Sequence, residues 1–290
     1  MNWLLLIFLF LSGLAVGSFL NCVIYRLHTG ESFLKGFSHC PHCRHKLNWR
    51  DLVPVLSFVF LKGKCRYCHQ KISLQYPIIE ISTAAIFLLI FNFQFSIWNQ
   101  SLSLLVIAPQ LSNQLQPYGE SLSGSAIFNF LNLIYYWLIS CFLIIIFVYD
   151  LKHLIIPDKV VYPAIAIVFF NNFLISGFRF QVSGFMINIY SALGAAGFFF
   201  LIWFFSKGKW LGFGDVKLVF LMGLLLGFPN ILSAVFLAFF IGAIMGIGLI
   251  AAGKKKLSSQ VPFGPFLVFG TFLSLFLGDN FIDLYLNLIL

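Results

Sequence analysis

The chain has 290 residues, of which 60% are hydrophobic and only 9% are charged. Soluble domains carry about 25% charged residues, so this composition excludes an ordinary soluble globular protein. The formal net charge of +9 is compatible with nucleic-acid binding, but the positions of the basic residues along the chain favour a different explanation.

Apolar runs recur along most of the chain, each about as long as the ~20 residues that an α-helix needs to cross a membrane. They do not alternate polar and apolar residues as the strands of a membrane β-barrel do. We therefore predict an all-α polytopic membrane protein with about eight transmembrane helices. The predicted spans are 3–25, 77–96, 127–149, 159–178, 184–205, 215–228, 230–252 and 262–278. Spans six and seven, separated by Gly227-Phe228-Pro229-Asn230, could form a tight helical hairpin.

The basic residues predict how the chain is oriented. Residues 3–25 lack the basic start of a signal peptide, so we interpret them as a retained span with its N-terminus outside. The cytoplasmic segments are then 26–76, 150–158, 206–214 and 253–261. Counted generously at their edges, they hold every Lys and Arg except Arg179, and the outer loop near 97–126 holds none. The net charge thus reflects membrane topology, and no nucleic-acid partner is expected.

Residues 26–76 form the largest polar stretch and contain two Cys-x-x-Cys pairs, Cys40/Cys43 and Cys65/Cys68. Each pair can place two thiolates on one metal ion, and together they complete a tetrahedral four-sulfur site. A segment this small buries little core, so a metal would stabilise it. We predict structural zinc; redox dithiols or free cysteines are the alternatives. Four neighbouring histidines are interpreted as surface residues: His39, His42, His45 and His69.

Nine acidic residues can be weighed one by one, and two of them stand out. Asp150 ends an apolar run, where an anion opposes the helix dipole, and Asp215 follows glycines at the start of another run. Both are predicted at the cytoplasmic ends of spans. Two adjacent carboxyl groups can activate a water molecule and protonate a scissile carbonyl, as in aspartic proteases. A capping or other structural role is the alternative, and capping is the natural role for Asp158.

Three further acidic residues have simpler interpretations. Glu31 and Asp51 are expected to be solvated or capping. Glu80, one turn inside the second span, is expected to bond to the cytoplasmic polar segment, and a contact with substrate is the alternative.

Several motifs together resemble one family. Gly17-Ser18-Phe19-Leu20-Asn21-Cys22 at the first-span exit, the two cysteine pairs with Leu47-Asn48-Trp49-Arg50-Asp51 between them, and Tyr76-Pro77-Ile78-Ile79-Glu80 occur in order. Asp150 through Ile156-Pro157-Asp158, Gly212-Phe213-Gly214-Asp215-Val216-Lys217 and Val261-Pro262-Phe263-Gly264-Pro265-Phe266 follow. In this order the chain resembles the type IV prepilin peptidases, GxGD-type aspartic proteases of the bacterial inner membrane.

The resemblance implies Asp150 and Asp215 as the catalytic pair. It also implies type IV prepilins and type II secretion pseudopilins as substrates, cleaved after a Gly at the cytoplasmic membrane face. Many members of the family also methylate the new N-terminus with S-adenosylmethionine. The sequence has no glycine-rich nucleotide loop of the usual type, so the residues that would bind this donor stay unassigned.

Three parts are predicted: a first transmembrane helix at 1–25, a zinc-binding segment at 26–76 and a membrane peptidase domain of about seven helices at 77–290. Two alternatives remain open. One is a peptidase without methyltransferase activity. The other is a non-enzymatic membrane scaffold or transporter with a zinc-stabilised cytoplasmic domain, although transporters place charges near the midplane of the membrane.

Overall fold

A computed structural model describes residues 3–32, 36–107, 122–179, 182–253 and 261–289. Within these residues the fold is all-helical, as predicted, apart from short turns and two isolated β-bridges. The helices are α1 (Trp3–Thr29), α2 (Leu56–Phe60), α3 (Gln75–Ile107), α4 (Leu122–His153), α5 (Asp158–Arg179), α6 (Val182–Ser206), α7 (Phe213–Leu226), α8 (Asn230–Ala251) and α9 (Gly264–Ile289).

All eight predicted spans fall on helices. Among the described residues, six helices are long and apolar enough to cross a membrane, as judged by length and composition: Trp3–Thr29, Gln75–Ser96, Phe128–His153, Asp158–Ile175, Ser183–Ser206 and Asn230–Ala251. The other two predicted spans are shorter, α7 with 14 residues and the apolar helix Gly264–Gly278 within α9.

The predicted outer loop near 97–126 is partly wrong. Helix α3 continues to Ile107 and α4 begins at Leu122, while residues 108–121 lie outside the described part of the chain. The Asn, Gln and Ser residues here lower the hydropathy without preventing a helix. The end of an apolar run therefore did not mark the end of a helix.

The chain divides into two compact units, Met1–Cys141 and Phe142–Leu290. In the first unit, α1 packs on α3 through glycines. A methyl group on Gly13 would sit 2.6 Å from the Cα of Ala84, and one on Gly17 would sit 2.7 Å from the Cα of Glu80. Small residues four apart let two helix backbones approach closely, so this crossing holds both ends of the 26–76 segment together.

In the second unit, α7 is the central helix. Leu218, Val219, Leu221 and Met222 are all fully buried, and α7 packs mainly on α6, α5 and α9. Gly223 brings its backbone against Ala192 of α6. The possible hairpin of spans six and seven is not a close-packed pair, since α8 packs chiefly on α9, where Gly270 meets Ala234.

Candidate active site and metal centre

Asp150 is buried in the last turn of α4. Leu154, with φ +56°, donates its N–H to the Asp150 carbonyl at 2.9 Å and ends the helix. The Asp150 carboxylate faces Gly264, the first residue of α9, whose backbone N–H donates to it. A carboxylate at a helix N-terminus is favoured by the exposed N–H groups and by the helix dipole. The start of α9 therefore provides a site for this anion.

Asp215 is buried in the first turn of α7. Its Oδ2 accepts a hydrogen bond of 3.1 Å from the Gly212 N–H, and its own N–H donates to the Gly212 carbonyl, also at 3.1 Å. Asp215 thus caps its helix, as the structural alternative proposed. It is also close enough to Asp150 for the charge of that residue to act on its carboxyl group. The capping role of Asp215 is therefore compatible with the predicted role beside Asp150.

Ile156 lies where the turn after α4 meets the starts of α7 and α9. A methyl group on Gly214 would sit 3.0 Å from the Ile156 Cβ, and one on Gly264 would sit 3.2 Å from its Cδ1. Ile156 is itself buried, in the turn between α4 and α5. Its side chain therefore separates the start of α7 from the start of α9 and sets their spacing around the two aspartates. The sequence analysis included Ile156 and both glycines in its motifs but assigned them no packing role.

Asp158 has a different environment. It begins α5 and forms an ion pair with Lys217, with 2.6 Å between Asp158 Oδ1 and Lys217 Nζ. The Lys217 ammonium also lies 5.1 Å from the ring centres of Tyr162 and Phe213. This ion pair joins the start of α5 to the first turns of α7. Asp158 is thus a surface residue that links two helices.

Two buried carboxyl groups that feel each other's charge have a defined chemistry. In general, one of two adjacent carboxyl groups in a poorly solvated site favours its protonated form, because two adjacent negative charges are unfavourable there. The ionised member can then accept a proton from water while the other donates one. This arrangement suits addition of water to a carbonyl group.

The four cysteines of the 26–76 segment come together. The Sγ atoms of Cys40, Cys43, Cys65 and Cys68 all lie within 4.8 Å of one another, so they could hold a metal ion. A tetrahedral zinc ion with bonds near 2.3 Å would place sulfur pairs about 3.8 Å apart, and Cys40 and Cys68 are 3.9 Å apart. The cluster found among the described residues contains no histidine.

The two Cys-x-x-Cys turns are copies of one structure. In the first, the Arg44 N–H donates to the Cys40 carbonyl at 2.9 Å, and in the second the His69 N–H donates to the Cys65 carbonyl at 3.0 Å. Arg44 and His69 follow the second cysteine of each turn, and both have a positive φ, +55° and +57°. A β-bridge closes each turn, His39 with Lys46 and Lys64 with Lys71.

Asp51 joins the second cysteine turn to the stretch between the turns, although the sequence analysis expected it to be solvated or capping. Its side chain is only 3% exposed. It accepts hydrogen bonds from the Arg66 Nε at 2.7 Å, the Tyr67 hydroxyl at 3.2 Å and the Asn48 backbone N–H at 3.1 Å. The last bond is a cap. The bonds to Arg66 and Tyr67, which lie between the second pair of cysteines, have no simple sequence signal.

Glu80 is buried in the second turn of α3. Its Oε2 accepts a hydrogen bond of 2.7 Å from the Val55 backbone N–H, and the Ser18 hydroxyl of α1 also donates to it. The expected bond between Glu80 and the polar segment is therefore present. It joins the start of α2 to the α1–α3 crossing.

Comparison with protein-family models gives two matches. Residues 11–94 match the bacterial peptidase A24 N-terminal domain, and residues 137–247 match the type IV leader peptidase family. A prepilin leader peptidase/N-methyltransferase of Bacillus subtilis is 30% identical over 97% of this chain and 98% of its own length. The chain belongs to the type IV leader peptidase family. It is a multi-pass membrane protein of the bacterial inner membrane type.

Other relatives carry the same name. The protein of Aeromonas hydrophila is 27% identical over 98% of this chain and 95% of its own length, and that of Klebsiella pneumoniae is 31% identical over 80% and 89%. No solved structure matches the chain significantly. The family assignment therefore rests on the two family models and on the sequence relatives, which cover both units.

Proposed function

We propose that this protein cleaves the leader peptide from type IV prepilins and type II secretion pseudopilins, and then methylates the new N-terminus. The observation that carries the proposal is the buried pair Asp150, in the last turn of α4, and Asp215, in the first turn of α7. Family membership supports both activities. The distribution of Lys and Arg supports a cytoplasmic position for the pair.

The proposed hydrolysis needs only the two carboxyl groups and water. The ionised carboxylate removes a proton from a water molecule, whose oxygen attacks the carbonyl carbon on the leader side of the scissile bond. The protonated carboxyl donates its proton to the carbonyl oxygen, giving a tetrahedral intermediate. Collapse of this intermediate breaks the C–N bond, and a proton passes to the leaving amine. The Gly264 and Gly212 N–H groups keep the two carboxylates in place.

Zinc and S-adenosylmethionine enter the proposal on different grounds. The sulfur spacing fits a tetrahedral zinc ion held by Cys40, Cys43, Cys65 and Cys68, and four protein ligands leave no open position for a substrate. We therefore assign the zinc a structural role. S-Adenosylmethionine would supply the methyl group, but we assign no residue to it and derive no step through it.

The test is a cleavage assay in lipid vesicles. The substrate is a prepilin with a basic leader, a Gly and then a Phe, and the products are separated by mass. Asp150→Asn and Asp215→Asn should each abolish cleavage, because Asn cannot exchange a proton. Glu31→Gln, which neutralises an exposed carboxylate, is the matched control and should cleave normally.

Full activity in either aspartate variant would rule out the pair as the catalytic centre. A wild-type protein that cleaves nothing would favour the scaffold or transporter alternative. Addition of S-adenosylmethionine with a labelled methyl group then separates the two activities. Cleavage without label on the product would leave a peptidase without methyltransferase activity.

A further inference from the structure

Helix α2 exposes an apolar face although it belongs to the polar segment. Leu56 is 55% exposed, Val59 62% and Phe60 80%. These positions are spaced i, i+3 and i+4, so the side chains lie on one side of the helix. Leu52 and Trp49, just before α2, are exposed as well. Soluble surfaces seldom present large apolar side chains in one group, and such a patch marks a contact with another apolar phase or partner.

The other side of α2 packs within the segment. Phe58 lies against Gly63, where a methyl group would sit 3.0 Å from its ring. The exposed face is thus fixed in its direction, because the opposite face is already in contact with the turn that follows.

The position of α2 along the membrane normal follows from Glu80. The Val55 N–H, at the residue before α2, is 2.7 Å from the Glu80 carboxylate. Glu80 lies in the candidate membrane span Gln75–Ser96, five residues after its start, or about 7.5 Å along a helix with a rise of 1.5 Å per residue. Side chains tilt toward the helix N-terminus, so the carboxylate points back toward the polar segment. Helix α2 therefore starts near the depth at which α3 enters the membrane.

The charges around α2 select the kind of surface that it can meet. Arg50 comes before it, Lys62 and Lys64 come after it, and all three are exposed. Between residues 36 and 76 the acidic residue is Asp51, which is buried and paired with Arg66. Apolar side chains flanked by basic ones are typical of segments that lie in the interface of an anionic membrane.

We propose that α2 inserts its face of Leu56, Val59 and Phe60 into the interfacial layer of the bilayer that α1 and α3 cross, with Arg50, Lys62 and Lys64 on anionic lipid headgroups. The cysteine turns are then held at the membrane surface by a third attachment besides the two helices. This inference does not depend on the peptidase activity, so the two can fail separately.

The test uses site-specific photocrosslinking in lipid vesicles that contain anionic lipid. Phe60 is replaced by the photoreactive aromatic p-benzoylphenylalanine, which preserves an aromatic side chain. The matched control carries the same residue in place of His42, which is exposed at the tip of the first cysteine turn. Metal content is measured in both proteins to show that the turns remain folded. The crosslinked products are identified by mass spectrometry.

Adducts with lipid acyl chains at position 60 and none at position 42 would support the proposal. Charge reversal by Lys62→Glu with Lys64→Glu should reduce the position 60 adducts. Crosslinks from position 60 to residues 142–290, or to added prepilin in place of lipid, would overturn it by showing that protein covers the face. Equal lipid adducts at positions 60 and 42 would overturn it too, since contact would not be specific to α2.

Discussion

A methyl group placed on Gly264 would sit 2.6 Å from Oδ2 of Asp150 and 3.2 Å from its Cγ. The first residue of α9 therefore has no room for a side chain while the carboxylate keeps its position. This contact connects the last helix of the chain to the aspartate at the end of α4. It explains why the motif Val261-Pro262-Phe263-Gly264-Pro265-Phe266 has a glycine at position 264, since only a residue without a side chain leaves room for the carboxylate.

Replacing Gly264 by alanine should impair cleavage far more than folding. The added methyl group must displace the Asp150 carboxylate, and a displacement of about 1 Å in a catalytic site can lower the rate roughly 10²-fold. The measurement compares the rate of prepilin cleavage with the thermal unfolding midpoint in the same detergent. The control is Gly246→Ala, because a methyl group on Gly246 meets nothing within 4 Å. Equal rates for the two alanine variants would contradict the packing of Gly264 on Asp150.

The ion pair of Asp158 and Lys217 predicts a small effect on activity. Asp158 is largely exposed, and an exposed ion pair contributes at most about 1 kcal/mol to stability. Asp158→Asn should therefore keep most of the cleavage rate, in contrast to Asp150→Asn. Lys217→Met and the double variant complete a cycle, in which the double variant should lose little more than either single one. Loss of cleavage in Asp158→Asn at unchanged stability would instead place Asp158 in the catalytic machinery.

Replacing one cysteine of the cluster should release the metal. With three sulfur ligands, Cys40→Ser leaves the tetrahedral site incomplete, so the zinc-to-protein ratio of the purified protein should fall. Amide exchange across residues 36–74 should become faster, because bound metal stabilises small segments. Cys22→Ser is the control, since Cys22 lies in α1 outside the cluster. An unchanged zinc content in Cys40→Ser would contradict the proposed site.

Two substitutions of Glu80 should separate its hydrogen bond from its charge. Glu80→Gln keeps an oxygen that can accept from the Val55 N–H and should resemble the wild type. Glu80→Ala leaves that N–H without its partner, and an unsatisfied buried donor costs about 1–3 kcal/mol. Faster amide exchange at Val55 and through α2 should report this loss. If Gln perturbs exchange as strongly as Ala, the carboxylate charge matters more than the hydrogen bond to Val55.

The helices and the metal cluster were accessible from the sequence because their signals are local. An apolar run of sufficient length predicts a span wherever it occurs, and each cysteine turn is complete within four residues. Helix ends were harder, as α3 shows by continuing past its last apolar stretch to Ile107. Polar residues that are compatible with a helix do not indicate where the helix ends.

The surroundings of the two aspartates were less accessible, because they depend on contacts between distant parts of the chain. The charge of Asp150 at a helix C-terminus was a usable signal. Nothing local indicated that Gly264, more than 100 residues away, lies against it. Asp51 is similar, since its burial depends on Arg66 and Tyr67 folding back over it. Such contacts follow from tertiary packing, which periodicity and composition do not describe.

The close crossing of α1 and α3 changes what the cysteine segment needs in order to fold. Its two ends are already adjacent, since Asn21 donates to the Tyr76 carbonyl at 3.1 Å and the glycines of α1 lie on α3. Closing a long loop has an entropic cost that grows with its length. Here the packing of α1 on α3 already closes the loop, so the metal site does not have to provide the closure. A metal ion held by the four cysteines would then have to order only the chain between its ligands, so we expect the segment to lose and regain its metal while α1 and α3 stay packed.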